Sequence, residues 1–353
     1  MSAAVVTKNS EREPLLEKFS QWLKRHPELQ LQNFKCDWLP GDASNRFYGR
    51  LQFDGKKDPL ILMVMNAPEA FKSEEVTGGK VSEPSELPFV TVAKEFAKGG
   101  IRVPKIVGVA ENSEFILLED FGDELLYQRR QENSALEWYE LALKELAKIQ
   151  KMKPFELAAS RSFTKDLLLW ETEHFLEYAL IKRNKNLSEA VLKDFRNFFS
   201  KLVDDVVSSP YVITHRDYHS KNLLILEKEK QIGVIDFQDA LMGPATYDLA
   251  SLLRDSYVAL DPTEEEHLIS VFEKASGKKV DRRIYGLTSL QRNLKAAGRF
   301  YYISMVKGKD THLPYVAPTL KRVLKTLRDL KELRILSLIE AHLQEEIQGS
   351  CKV

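Results

Sequence analysis

One stretch of this chain limits its fold more than any other. The apolar run Val212–Ile213–Thr214 breaks into the polar loop His215–Arg216–Asp217–Tyr218–His219–Ser220–Lys221. Asn222 follows Asp217 by five residues, and a second apolar run begins at Leu223. Fourteen residues after Asn222, Gly233–Val234–Ile235 ends on Asp236. Short β-runs that each end in a polar functional residue predict a small sheet whose loops hold a carboxylate, a carboxamide and a second carboxylate at fixed separations.

That set of groups suits phosphoryl transfer. One carboxylate receives the proton of an attacking hydroxyl, while the other and the carboxamide hold Mg²⁺ against nucleotide phosphates. Mg²⁺ takes oxygen ligands and keeps several waters, so one Asp and one Asn oxygen are sufficient protein ligation. Two other readings stay open on the residues alone. His, Asp and Asn are common turn formers, and His215, Asp217 and His219 have the spacing of metal ligands on a strand. No GxxxxGK[ST] or GxGxxG run occurs, which removes Walker-type and dinucleotide-binding classes.

The rest of the chain divides by texture. Positions 11–30 read as an amphipathic helix through Leu15, Leu16, Phe19, Trp22 and Leu23. From 34 to 66 short apolar segments flank the turn Pro40–Asn45, and Asp54–Lys57 leads into Leu60–Met65, predicting antiparallel strands. A polar loop at 72–88 precedes a helix, Phe89–Lys98, stopped by Gly99–Gly100, and strands at Ile106–Ala110 and Phe115–Glu119. Beyond Asp120–Asp123 helical periodicity dominates, at 134–151, 164–183, 187–207 and in four or five segments of 246–345. The expected fold is α+β and bilobal: a small antiparallel-sheet N-lobe (1–119), a hinge (120–124) and a larger, mainly helical C-lobe (125–353).

Composition narrows the class further. At about 150 residues per domain, 353 residues make two units or one bilobal one. Lys plus Arg and Asp plus Glu are both 52, a balance that argues against bulk nucleic-acid binding. Cys36 and Cys351 cannot build a disulfide scaffold or a Cys-based zinc site. The apolar run Pro59–Met65 is too short to span a bilayer, and Met1–Ser10 lacks a signal-peptide core. These features predict a soluble protein of the cytoplasm with no nucleic-acid or membrane partner.

His215–Asn222 with Ile235–Asp236–Phe237 resembles the catalytic loop and metal-binding Asp of the aminoglycoside phosphotransferase and choline kinase superfamily, whose folds are protein-kinase-like. Gly41–Arg46, Met65–Pro68, Asp236–Pro244, Tyr247–Asp255 and Gln291–Lys295 are similar to cell-wall amino-sugar kinases. Those enzymes phosphorylate N-acetylmuramate and N-acetylglucosamine at the anomeric hydroxyl in peptidoglycan recycling. The resemblance implies ATP as donor, Mg²⁺ as cofactor and a small amino sugar as acceptor. It makes Asp217 the catalytic base and Asn222 and Asp236 the metal ligands. Ser44, Asn45 and Arg46 would cover the phosphates, and Leu118, Glu119 and Asp120 would form the hinge against adenine. His219, Gln238, Asp239 and Arg254 would face the acceptor, and Asp248 would hold the catalytic loop. The strand Leu60–Asn66 carries no Lys where kinase-like folds place one, so Arg46 is the candidate to neutralise phosphate, with Lys80 a solvated alternative. Aminoglycoside or choline phosphotransfer and a non-catalytic nucleotide-binding role are the alternatives. Arg292, Lys295 and Arg299 suit a neutral or carboxylate-bearing sugar if they face the cleft, and are otherwise a solvated helix face.

Overall fold

The period-2 pattern of the first third builds a five-stranded sheet. Its strands are β1 (Phe34–Trp38), β2 (Arg46–Phe53), β3 (Leu60–Met65), β4 (Ile106–Val109) and β5 (Phe115–Glu119). The order is β1-β2-β3-β5-β4 and every pairing is antiparallel. The computed structural model of the protein describes residues 12–39, 46–65, 86–111, 113–132, 134–183 and 186–349. The loop expected at 72–88 and the turn Pro40–Asn45 therefore fall wholly or largely outside the described residues.

Alternation sorts the sheet's side chains onto two faces. Leu51, Phe53, Leu62, Val64, Phe115 and Leu117 meet Phe19, Trp22 and Leu23 of helix α1 (Glu13–Arg25). Met63, Met65, Ile116 and Leu118 face the other way, onto Phe89, Val92, Ala93 and Phe96 of α2 (Pro88–Lys98) and onto the C-terminal part. Position 108 of β4 is a glycine because a Cβ there would lie 2.7 Å from the Trp22 ring.

The remainder is helical: α3 (Ala135–Lys151), α4 (Glu156–Ala159), α5 (Lys165–His174), α6 (Glu189–Val207), α7 (Tyr247–Leu253), α8 (Pro262–Ser276), α9 (Arg282–Lys307), α10 (Val316–Asp329) and α11 (Leu333–Ile347). Side-chain caps fix several starts, with Thr164, Ser188, Asp261 and Asp281 each accepting backbone N–H bonds of the first turn. The helix expected over 164–183 is broken. Past His174 it continues as a π turn, Phe175–Leu180. There α9 approaches so closely that a Cβ on Gly298 would lie 2.6 Å from the backbone of His174 and Phe175.

The single small sheet expected over 211–238 also comes out differently. It forms two separate two-stranded sheets, β6 (Tyr211–Thr214) with β9 (Leu241–Pro244), and β7 (Leu223–Leu226) with β8 (Gln231–Val234). Strand β9 was hidden by Gly243 and Pro244, which read as turn residues. It exists because β6 supplies its hydrogen bonds. Among the described residues no helix is long and apolar enough to cross a membrane.

Candidate active site

The loop after β6 is held from below at several points. Asp248, at the start of α7 and fully buried, accepts the backbone N–H of His215 (2.6 Å) and of Arg216 (3.0 Å). Burial pushes this carboxyl's pKa up, while the two N–H donors and Arg292 pull it down. Arg216 adopts φ +80°, a left-handed turn that the clamp stabilises. His215 donates from Nε2 to the Ile235 carbonyl at 2.9 Å, and burial lowers its pKa to about 4, so it is a neutral strut. Asp255 accepts from the Ser220 backbone and hydroxyl and from the Tyr257 N–H, and Tyr218 donates to the Ala142 carbonyl. The role expected of Asp248 matches this geometry; the second clamp, Asp255, has no local sequence signal.

This rigid loop brings Asp217, Asn222 and Asp236 together. The Asn222 amide donates to the Asp217 carbonyl (3.0 Å) and to the Asp236 carboxylate (3.3 Å). Its amide oxygen is left to accept or to ligate. Asp236 has φ +63°, which turns its carboxylate toward Asn222, and the Gln238 amide donates to its other oxygen at 2.9 Å. Phe237 anchors the turn by packing on Phe89 and Phe96 of α2. The buried face of α2 carries only apolar residues, so the strand β3 without Lys is matched by a helix without an inward carboxylate.

The electrostatics at Asp217 are set mainly by α9. Burial alone would raise its pKa, but Lys295, Arg292, His219 and Arg216 together outweigh burial and hold it well below the usual carboxylate range. Arg292 donates to the Arg216 carbonyl at 2.9 Å and stacks on Tyr247. Lys295 pairs at 2.7 Å with Glu171 of α5, which Gln291 also reaches at 2.9 Å. These two α9 cations are therefore turned to the catalytic loop and are not a solvated face. Arg299 stacks on Tyr302 instead.

The other expected residues divide. His219 packs edge-on against Tyr257, with Nε2 at 3.5 Å from the Asn222 amide. Gln238 and Asp239 lie on the same turn as Asp236, their side chains 3.3 Å apart, and burial is the first cause of a raised Asp239 pKa. Arg254 is not brought to this cluster. Its guanidinium bonds Glu265 (2.8 Å) and Thr326 (3.1 Å) and stacks on Tyr285, a pairing that ties α7 to α8 and α10.

At the sheet side, Leu118 is a core residue, and the hinge carboxylates are engaged. Glu119 pairs with Arg102 (2.6 Å) and Asp120 with Arg50 (2.5 Å). These side chains brace the connection and leave only backbone for a ligand. Arg50 is thereby spent, while Arg46, two positions before Tyr48 on the same β2 face, remains at the strand's mouth. Burial raises the Tyr48 phenol's pKa, with Arg46 opposing and Asp236 adding to the shift. Ser44 and Asn45 lie outside the described residues.

A sheet lobe over a helical lobe, with Asp, Asn and Asp converging between strands, defines a protein-kinase-like phosphotransferase. The chain belongs to the phosphotransferase enzyme family, whose sequence profile matches residues 39–285. It is 31% identical over 297 residues to an N-acetylmuramate/N-acetylglucosamine kinase of Pseudomonas aeruginosa, covering 81% of each chain. Among solved structures it is similar to a choline kinase from Streptococcus pneumoniae (TM-score 0.61, 14% identity, 88% of this chain and 99% of that one). It is also similar to a spectinomycin phosphotransferase solved with ADP and spectinomycin (TM-score 0.56, 13% identity, 86% of this chain and 93% of that one).

Proposed function

We propose that the protein is a cytoplasmic kinase that transfers the γ-phosphoryl group of ATP to the anomeric hydroxyl of N-acetylmuramate, N-acetylglucosamine or both, in cell-wall recycling. In this reading residues 1–119 carry the nucleotide, 120–124 are the hinge and 125–353 carry the acceptor. The observation that carries it is the charge around Asp217, where Lys295, Arg292 and Arg216 converge. A polycationic aminoglycoside would meet these cations head-on. A choline-type acceptor wants an open aromatic cage. The cage beside this loop, Tyr127, Tyr257 and Tyr315, already holds the ammonium of Lys221, 3.9 Å from the Tyr257 ring centre and 4.6 Å from that of Tyr315. A neutral or anionic sugar faces neither obstacle, and the relative from Pseudomonas carries that activity in its name.

Asn222 and Asp236 fit Mg²⁺, since a carboxylate and the free oxygen of a carboxamide are hard donors held side by side. When bound, the ion would neutralise charge on the donor phosphates. Asp217 accepts the proton of the anomeric hydroxyl. Depressed in basicity by its cations, it orients that O–H and takes the proton late, as a loose transition state allows. Arg46 pairs with phosphate oxygens, and Ser44 and Asn45 complete the cover. His219, Gln238 and Asp239 line the acceptor side.

The test is donor consumption across N-acetylmuramate, N-acetylglucosamine, choline and kanamycin. Turnover of either amino sugar with the other two inert is expected. Preferential turnover of choline or kanamycin would refute the proposal.

A further inference from the structure

Hydrogen-bonding capacity enclosed by a protein is normally used up. Next to the metal aspartate two such groups are not. The Nε of Arg161 is enclosed with no partner among the described residues, and so is the Oε1 of Gln238. Among the described residues the Arg161 guanidinium makes one hydrogen bond, a long one from Nη1 to the Gln238 carbonyl at 3.4 Å. Among the described residues no carboxylate lies within ion-pair distance of it. Burial is the main cause that lowers its pKa; Asp239 opposes that effect and the neighbouring Arg216 adds to it in smaller measure.

Arg161 is not a loose surface group. Its carbonyl accepts from Met242, the next residue bridges to Met242, and Phe163 donates back to the Met242 carbonyl at 2.9 Å. The segment is therefore zipped to β9, directly after the Asp236–Asp239 turn. Gln238 is fixed as well, because its amide nitrogen is spent on Asp236 (2.9 Å) and Asp239 (3.3 Å). That bonding leaves Oε1 as a pure acceptor and Arg161 as a pure donor, both on preorganised backbone.

We propose that Arg161 and Gln238 form a subsite for a secondary amide on the acceptor, the guanidinium donating to its carbonyl oxygen and Gln238 Oε1 accepting its N–H. A carboxylate would satisfy Arg161 but set two acceptors against each other at Gln238, so the pair matches an acetamido group better than a lactyl acid. The inference rests on the amino-sugar reading above and names the group that makes such a sugar recognisable. It also explains how the site would tell N-acetylglucosamine from glucose, which lacks the amide and would leave both protein groups unsatisfied.

The test compares kcat/KM for N-acetylglucosamine and glucose in the wild-type enzyme, Arg161→Met and Arg161→Lys. Loss of a charge-assisted hydrogen bond narrows the preference for the acetylated sugar by about 10- to 100-fold in Arg161→Met. Arg161→Lys recovers part of it. An unchanged ratio in folded Arg161→Met overturns the subsite, whatever the absolute rates. A second readout does not depend on turnover: saturation-transfer NMR of the acetyl methyl of N-acetylglucosamine. Saturation with wild type that is lost in Arg161→Met supports the subsite even if no phosphate is transferred, in which case the proposed function fails alone. No saturation with wild type overturns the subsite even if the sugar is phosphorylated.

Discussion

Replacing Asp217 by Asn is the sharpest perturbation of the site, because it keeps the shape and removes the charge. Loss of a general base costs about 10²–10⁴ in rate. The surroundings of Asp217 select the lower part of that range. Lys295, Arg292, His219 and Arg216 overcome burial and hold its pKa well below the ordinary value, so its proton affinity is weak to begin with. A loose transition state develops little charge on the attacking oxygen early, which reduces the demand on the base further. We therefore expect kcat for N-acetylglucosamine to fall about 10²-fold, close to 3 kcal/mol of barrier. ATP affinity stays near wild type, since the charges acting on Asp217 come from α9 and its own loop and not from the nucleotide lobe. Steady-state kinetics with a separate ATP titration checks both halves. A kcat within threefold of wild type, in protein that binds ATP normally, refutes the reasoning. The pH dependence follows with a definite sign. A carboxyl whose folded pKa is lowered gives stabilisation that is present through neutral pH and lost only as the pH falls through the lowered folded value, below about pH 4. The variant and the wild type should thus differ by a constant factor from pH 6 to 9, and a ratio that varies tenfold across that window contradicts the lowered value.

Three more outcomes follow. Arg46→Ala should raise KM for ATP more than KM for the sugar, because Arg50 is already held by Asp120 and Asp123 and cannot substitute; a rise in sugar KM alone would move Arg46 to the acceptor side. Asp248→Asn puts an NH₂ where a carboxylate oxygen accepts a buried N–H, costing about 1–3 kcal/mol and lowering kcat as the loop loosens; unchanged melting and unchanged kcat would show that the clamp is idle. Gly298→Ala drives a methyl to 2.6 Å of the His174–Phe175 backbone, and overpacking of this kind costs about 1–3 kcal/mol in denaturant midpoint measurements; a neutral result would mean that α9 and α5 can separate freely.

How much of this was readable beforehand depends on where each residue's partners lie. The strands of the sheet lobe and the Asp217–Asn222–Asp236 spacing are local patterns, and alternation or fixed offsets reveal them. Strand β9 is four residues long with Gly243 and Pro244 in it, and only its pairing with β6 makes it a strand. The helical period of 164–183 runs on through a π turn because hydrophobicity alone does not register one extra residue per turn. Arg254 is expected at the acceptor as one of the polar residues that follow Asp236. The end of α7 instead directs it to Glu265, a partner that no spacing rule indicates. Glu171 and Arg161 went unnoticed for the same reason: the groups that give them meaning, Lys295 and Gln238, are contributed by other elements.

The central claim is that phosphate goes to the anomeric oxygen of an N-acetylated amino sugar. Phosphorus NMR of the product made from ATP and N-acetylglucosamine tests it directly. The account predicts a sugar 1-phosphate, recognised by coupling of phosphorus to the anomeric proton and by loss of the signal in mild acid. A product whose phosphorus couples to the C6 methylene protons, or no product from either amino sugar with a folded, ATP-binding enzyme, would contradict it.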